Sequence, residues 1–305
     1  MSLQKDRGIA LVSVLLLTVV ISMMVVSISN RLQIDVHRSA YLSSHQQAAW
    51  YALSAENWAR RVLDDDDPTV DSLDEDWALN VRELPIEEGV VAGQLIDSQS
   101  RLNLNGLLIG DHVDQVSFGR LSRLFKQLGI DGRHLNALVD WIDRDSIARD
   151  GGAEDEYYAT LSPAYRSAND RLADFSELLL VKGFNEVILD KLRPYLVVLP
   201  EPTPINVNTA SPELLEVLFS DRSLDVSGTV QRRNSKPYTS LEEFFSLALT
   251  GDTVGDRERA GIAVSSNYFH LHTTVELGPY TLHQNALLVR KNRRTVSSRR
   301  WRGGA

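Results

Sequence analysis

The sequence predicts an α+β protein in which a long N-terminal helix packs on a small antiparallel sheet, with a large all-helical domain inserted into that sheet. Three observations support this class. Residues 8–30 carry no charge, and the chain continues to residue 63 without Gly or Pro. Residues 89–97 and 268–290 have the composition of strands. Between them, about 160 residues read mostly as short helices, many bounded by Gly or Pro.

The uncharged segment is long enough to cross a membrane. A helix over residues 9–30 is roughly 33 Å long at 1.5 Å per residue, against a hydrocarbon core of about 30 Å. Lys5 and Arg7 precede it and orient the N-terminus toward the cytoplasm, so we expect the bulk of the chain on the outer side. A cleaved signal peptide and a plain single-pass anchor are the alternatives. The apolar run is longer than that of a signal peptide, and no A-x-A site with a turn follows it.

The second half of the helix is predicted to pack on the folded domain. Helical spacing places four residues on one apolar stripe: Tyr51, Ala55, Trp58 and Val62. The helix is expected to end at residues 64–68, because four consecutive aspartates oppose its dipole and Pro68 cannot continue it.

Strands are expected on both sides of the helical region. Residues 89–97 read as one strand, and residues 268–277 and 280–290 as a hairpin with its turn at 277–280. Beyond it, residues 290–302 hold seven bases and no acid, which predicts a solvated basic tail or an electrostatic contact to a partner or to headgroups.

The predicted helices lie in six segments: residues 120–128, 135–142, 176–182, 185–192, 212–219 and 241–248. The region that contains them shows weak internal sequence similarity. Leu102-Asn-Leu-Asn105 is similar to Ile205-Asn-Val-Asn208, and residues 174–179 are similar to 240–245, each of which opens with a plausible N-cap. Two related small helical units are therefore predicted, with chance similarity as the alternative.

Residues 204–215 are also similar to the opening of helix-hairpin-helix DNA-binding modules. The Gly-rich hairpin of such modules does not follow, and the net charge of −9 argues against nonspecific nucleic-acid binding, so we interpret this segment as a structural relic.

Nothing in the sequence supports catalysis. The chain has no cysteine, which excludes disulfides, thiolate metal sites and a cysteine nucleophile. No HExxH, G-x-S-x-G, Walker or dinucleotide motif occurs. An enzyme that uses carboxylates alone stays open as an alternative. His270 and His272 point to the same face of a strand, where a surface pair is favoured over a metal site.

Seven acids fall within residues 140–156, around a Gly-Gly turn. Oxygen ligands at this density suit Ca²⁺. Asp143, Asp145 and Glu154 stand at positions 1, 3 and 12 of an EF-hand loop, but Ala148 occupies position 6, where that loop needs Gly. A true EF-hand is therefore not expected, and spacing alone favours a solvated acidic loop.

The N-terminus resembles a prepilin peptidase site. Residues 5–8 form a short basic segment that ends in Gly8, followed by the apolar run that starts at Ile9. The resemblance implies cleavage between these two residues and methylation of the new N-terminus. Most pilins and pseudopilins carry Glu at the fifth mature position, where this chain has Ser13. That departure is the hallmark of the K-type minor pseudopilins of type II secretion systems. A carboxylate in the bilayer costs roughly 2.5–3.5 kcal/mol, whereas a serine can bond back to a carbonyl of its own helix.

The run at 140–158 and the segment at 204–215 also resemble this pseudopilin K family. The resemblance implies a pilin-like fold whose inserted helical domain is built of SAM-like units. It implies structural Ca²⁺, with the following expected ligands: Asp143, Asp145, Glu154 and Asp155, then Asp140 and Glu156. Asn169 and Asp174 are candidates for a second site.

The expected organisation is a leader at 1–8, a membrane segment at 9–30, the outer half of the helix with the first strands at 31–101, an inserted helical domain at 102–262, a hairpin at 263–290 and a basic tail at 291–305. The resemblance implies an inner-membrane subunit of a Gram-negative bacterium that initiates or caps the tip of a periplasmic pseudopilus. Expected partners are the I- and J-type minor pseudopilins, the major pseudopilin, prepilin peptidase and the inner-membrane assembly platform. The alternative is an unprocessed single-pass membrane protein with a periplasmic calcium-binding interaction domain.

Overall fold

The computed structural model describes residues 3–220, 224–249, 255–291 and 293–303, of which the side chains at 3–10, 257 and 258 are left out. Helix α1 (Leu3–Asp65), with 63 residues, is the longest element among the described residues. Within the described residues, one helix is long and apolar enough to cross a membrane, with a mean hydropathy of 2.8 over its most apolar window and no buried residue there. The end of α1 at Asp65 confirms the predicted stop.

The buried face of α1 differs from the predicted stripe. Its fully buried residues are Ala48, Ala52, Glu56, Ala59 and Leu63. The predicted stripe was wrong by one position along the chain, and its Trp58 is 53 % exposed. Small side chains let the helix axis approach the sheet, so alanines occupy the centre of the contact and the larger residues lie beside it.

The strands are β1 (Val81–Ile86), β2 (Gly89–Asp97), β3 (Leu102–Asn103), β4 (Leu108–Ile109), β5 (His112–Val113), β6 (Leu196–Val197), β7 (Ile205–Asn206), β8 (Ile262–Ala263), β9 (Tyr268–Leu277), β10 (Tyr280–Lys291) and β11 (Arg294–Arg302). Five of them form an antiparallel sheet in the order β1-β2-β9-β10-β11. The helical region lies between β2 and β9, which pair from Gly89↔Leu277 to Asp97↔Phe269. The α+β class and the inserted helical domain are confirmed.

The C-terminal hairpin is present as predicted, with β9 and β10 joined at Leu277↔Tyr280 and Gly278 at φ 53° in the turn. The solvated basic tail predicted at 291–305 was wrong for the described residues, because β11 pairs along β10 from Lys291↔Arg294 to Gln284↔Arg302. Residues 292, 304 and 305 of this segment lie outside the described residues. Two of the seven bases at 290–302 pair with acids in or just after α1. Arg290 pairs with Asp66 and Asp71, and Arg300 pairs with Glu56.

The remaining helices are α2 (Gln115–Gln127), α3 (Arg133–Ile142), α4 (Asp155–Tyr158), α5 (Glu186–Leu192), α6 (Pro212–Leu218), α7 (Val226–Ser235), α8 (Leu241–Ala248) and α9 (Asp256–Arg259). The predicted segment at 176–182 is a 3-10 helix, Phe175–Leu180. Sequence reasoning missed α7, which has little apolar periodicity and is anchored by Asp225 at its N-cap.

The internal sequence similarity corresponds to a repeated set of hydrogen bonds, made by Asn105 in one segment and by Asn208 in the other. Asn105 donates to the carbonyls of Leu172 and Leu199 and accepts from the amide of Leu172. Asn208 donates to the carbonyls of Tyr238 and Val264 and accepts from the amide of Tyr238. Each unit opens on a two-residue strand in a parallel pair, β3 with β6 and β7 with β8. Two related units therefore follow one another in the insertion. The first helical unit runs from β3 to β6, and the second from β7 to β8.

Candidate metal centre

The acidic loop lies between two helices of the first unit. Helix α3 ends at Ile142, Asp143 caps it in an extended conformation, and α4 starts at Asp155. Gly152 closes the loop against α3. A Cβ at Gly152 would lie 1.8 Å from Oδ2 of Asp140, so only glycine permits this approach.

Three acids meet in this loop. Each of Asp143, Asp145 and Glu154 offers a carboxylate oxygen, and these oxygens lie within 4.8 Å of one another. Asp143 is 5 % exposed and Glu154 8 % exposed, whereas Asp145 faces solvent. Oδ1 of Asp143 and Oε1 of Glu154 are buried and have no hydrogen-bond partner in the part of the chain that the structure describes. Buried, unpaired carboxylate oxygens are costly, and a bound cation would remove that cost.

Burial and the neighbouring negative charges also raise the pKa values of these acids. Burial, followed by the negative charges of Asp145 and Asp140, raises the pKa of Asp143 to about 6. Burial and the neighbouring acids raise the pKa of Glu154 to about 7. Like charges held together in a desolvated site favour the protonated forms. A divalent cation would reverse this effect by stabilising the ionised forms.

Asp140 lies behind the three acids and is fully buried. Its Oδ2 accepts from the amide of Arg149 at 3.0 Å, and its Oδ1 lies 3.6 Å from Nε of the same residue. Arg149 also approaches Oδ2 of Asp143 at 4.0 Å. Burial raises the pKa of Asp140. One arginine, 39 % exposed, therefore supplies part of the counter-charge to the site.

The other expected ligands lie outside this group. Asp155 accepts from the amide and hydroxyl of Ser167 at 3.0 and 2.8 Å, and Glu156 is exposed. Asp174, expected in a second site, caps the 3-10 helix at Ser176 and pairs with Arg299 at 3.2 Å. The structure thus brings together three of the six expected ligands, with Asp140 next to them.

Known proteins are similar in sequence to this chain over its whole length. Two family models described as type II secretion system protein K match residues 100–201 and 205–265. Type II secretion system protein K of Aeromonas hydrophila is 32 % identical, covering 100 % of this chain and 99 % of that protein. The chain belongs to the type II secretion system protein K family. The resemblance to minor pseudopilin K is thereby confirmed.

Further relatives of the protein K family support this membership. Protein K of Pseudomonas aeruginosa is 32 % identical over 90 % of this chain and 85 % of its own. Among solved structures, the GspK-GspI-GspJ complex of enterotoxigenic Escherichia coli contains a chain similar to this one. Its TM-score is 0.78 at 28 % identity, covering 88 % of this chain and 100 % of that chain. The two matched protein K regions meet where the two helical units meet.

The N-terminal residues expected to take part in processing and assembly lie on α1. Gly8 and Ile9 are part of its helical backbone, and their side chains lie outside the described residues. Ser13 is exposed on the helix. Nearby, Thr18 and Ser22 donate to carbonyls of the preceding turn, both at 2.8 Å. Hydroxyls on this helix therefore can be satisfied internally.

Sequence reasoning missed a second acidic group, formed by Asp66, Asp71 and Glu75. Arg290 donates to Asp66 and Asp71, so this group already holds a cation. Burial raises the pKa of Asp71 to about 6 and that of Glu75 to about 7. The acid-rich run from residue 64 was visible in the sequence, but its partner lies more than 200 residues away.

Proposed function

We propose that the chain is a minor pseudopilin that acts by assembly at the tip of a periplasmic pseudopilus. There it would initiate or cap the fibre together with the I- and J-type pseudopilins, for protein export across the outer membrane. The observation that carries this proposal is full-length similarity to protein K, combined with a solved relative described as a complex with GspI and GspJ.

The surface of α1 supports an assembly role. Its apolar half is exposed throughout the described residues from Leu11 to Val36. So much apolar surface requires a bilayer or other helices around it. We place this half in the inner membrane, with the N-terminus cytoplasmic and the folded part periplasmic. Trp50 and Trp58, 68 % and 53 % exposed, extend the apolar surface beyond the membrane segment and could contact neighbouring subunits.

The capping role is supported by the position of the insertion. The two helical units leave the sheet at the end of β2 and return at the start of β9, so they form a bulky body at one end of the pilin-like part. A further subunit stacked in that direction would meet this body. The same reasoning makes the chain a terminal subunit and leaves the major pseudopilin and the assembly platform as partners on the membrane side.

Processing by prepilin peptidase is part of the proposal. Cleavage after Gly8 would free Ile9 as the methylated N-terminus, and Ser13 would take the place of the glutamate that most pseudopilins carry. A tip subunit has no preceding neighbour whose terminal ammonium needs that carboxylate.

We further propose a structural Ca²⁺ in the acidic loop, held by Asp143, Asp145 and Glu154 with Asp140 behind them. The donor set fits because three buried carboxylate oxygens, on Asp140, Asp143 and Glu154, have no hydrogen-bond partner among the described residues, and all candidate ligands are hard oxygens. The ion would supply charge neutralisation only. The loop connects α3 to α4, so the ion would fix the first helical unit rather than take part in a reaction.

Two experiments test the assembly role. Coexpression with prepilin peptidase should yield a protein that starts at Ile9 by mass spectrometry, while Gly8→Leu should retain Met1. Wild-type protein that still starts at Met1 would favour the unprocessed membrane protein.

Copurification with tagged I- and J-type pseudopilins should give a stable complex, with an unrelated single-pass membrane protein as the control. Failure to bind either protein would contradict the tip assignment.

A further inference from the structure

A cavity lies on the sheet face opposite α1. It is a crevice of about 410 Å³ between the sheet and the first helical unit. On the sheet side, His270, Asn285 and Trp301 lie on neighbouring strands, since Asn285 pairs with Trp301 and His270 with Leu287. The helical unit contributes Arg101 and other residues from the opposite wall. A volume of this size suits a small ligand or a peptide side chain.

The crevice holds a cation, Arg101, that makes no direct ion pair among the described residues. Nη1 of Arg101 lies 3.5 Å from the carbonyl oxygen of Arg193. Asp97 acts on its charge only from beyond ion-pair distance. Burial lowers the pKa of Arg101. By contrast, Arg299 at the rim pairs with Asp174 at 3.2 Å and lies over the ring of Trp301. Arg101 therefore has no direct acidic partner, although Asp97 offsets part of its charge, and its guanidinium can contact an anion.

Two polar atoms of the crevice lining are also unpartnered. The hydroxyl of Ser98, which is fully buried, and Nε2 of His270 have no hydrogen-bond partner among the described residues. Burial, then His272 and Arg101, lower the pKa of His270 to about 3, so its ring is neutral. Unpaired buried polar atoms cost free energy, so this wall gains from any rearrangement that brings a ligand's polar atoms to them.

We propose that this crevice binds a carboxylate carried on an apolar stem and presented by a polypeptide, with Arg101 as its counter-charge. Aliphatic residues, among them Leu196 and Leu287, line the remaining wall and suit the stem. The carboxylate of Asp174 at the rim disfavours a dianion such as phosphate. The carboxylate has two possible sources, a glutamate side chain and a chain terminus. The site is separate from the acidic loop and does not depend on the secretion role.

The test uses the full chain in detergent micelles and isothermal titration calorimetry. Four probes are titrated: N-acetyl-Leu-Glu-Leu-amide, its glutamine counterpart, N-acetyl-Leu-Leu as the free acid, and the amide of that dipeptide. We expect the acids to bind at least tenfold more tightly than their amides. The acid that binds more tightly identifies the source. Arg101→Gln should abolish this preference, whereas Arg82→Gln, an exposed arginine on β1, should preserve it.

Three results would overturn the proposal: equal binding of acid and amide, no binding of any probe, or preferential binding of inorganic phosphate. The comparison of acid with amide on the wild-type chain needs no variant, so it decides the question even if Arg101→Gln fails to fold. Retained preference in a folded Arg101→Gln protein would overturn the assignment of Arg101 as the counter-charge.

Discussion

The carboxylate of Glu56 on α1 accepts two hydrogen bonds from Arg300 on β11, from Nε and Nη2, each at 2.6 Å. Glu56 is fully buried in the middle of the helix face that packs on the sheet, while the Arg300 side chain is half exposed. Charged, bidentate contacts of this kind fix orientation as well as distance. The last strand of the sheet is thus joined to the helix that carries the membrane segment.

Removing Arg300 should destabilise the folded domain more than neutralising Glu56. Arg300→Gln leaves a buried carboxylate without its counter-charge, and we expect a loss of about 2–3 kcal/mol in the free energy of unfolding. Glu56→Gln removes the charge itself and should cost about 1 kcal/mol. Chemical denaturation followed by circular dichroism measures both, with Arg294→Gln on the same strand as control. Equal stability of Arg300→Gln and the control would show that the pair contributes little.

Calcium should stabilise the first helical unit. At a concentration of 100 times its dissociation constant, an ion that binds only the folded state adds about 2.7 kcal/mol. Titration of Ca²⁺ into chelator-treated protein should raise its melting temperature, and the double variant Asp143→Asn, Glu154→Gln should lose this response. Glu156→Gln is the matched control, because Glu156 lies in the same region but outside the acid group. An unchanged melting temperature of the wild type would exclude structural calcium.

Stability should depend on pH through Glu75. Its pKa in the folded state is raised from 4.5 to about 7 by burial, so the folded state binds its proton more tightly than the unfolded state does. Its contribution is complete below about pH 4.5 and is lost as the pH rises through about 7. Glu75→Gln should flatten the profile between these values, measured by denaturation at constant saturating Ca²⁺. Exposed Glu87→Gln should leave the slope unchanged, and an identical slope in Glu75→Gln would refute this explanation.

Asn105 and Asn208 should be equally important for stability. Each makes three hydrogen bonds to backbone groups of its own unit, which Ala would leave unpaired. We expect either substitution to cost about 3 kcal/mol in unfolding free energy. Asn80→Ala, at an exposed position, is the control. A large effect at one asparagine only would mean that the two units do not share their stabilising contacts.

Much of the architecture follows from local patterns. The end of α1, the C-terminal hairpin and most helices of the insertion coincide with turn residues, caps and apolar periodicity. The buried face of α1 could not be predicted in the same way, because alanines carry little hydrophobic signal, whereas the more apolar stripe beside them is only partly buried. The strand at Arg294–Arg302 was missed because its basic composition suggests a solvated tail, whereas Arg299 and Arg300 pair with acids distant in sequence.

The acidic loop was partly predictable. Spacing alone favoured a solvated loop, and the resemblance to the family supplied Asp143, Asp145 and Glu154 as ligands; the structure brings their carboxylates together. Asp155 is adjacent to Glu154 but starts helix α4, and its carboxylate turns to Ser167. Adjacent acids thus reach different partners once the helix begins. Arg149 and the second acidic group depend on tertiary contacts that residue spacing does not encode.

The pairing of Asp97 with Phe269 also affects how the sheet can form. The entropic cost of joining β2 to β9 grows only with the logarithm of the intervening length, about 0.6 kcal/mol for each doubling. The insertion reduces even this cost once it folds, because its parallel pairs, β3 with β6 and β7 with β8, hold the ends of each unit together. A folded insertion therefore holds β2 and β9 close together, as the turn of a short hairpin would. The two strands can then pair as if they were neighbours in sequence, although two helical units separate them.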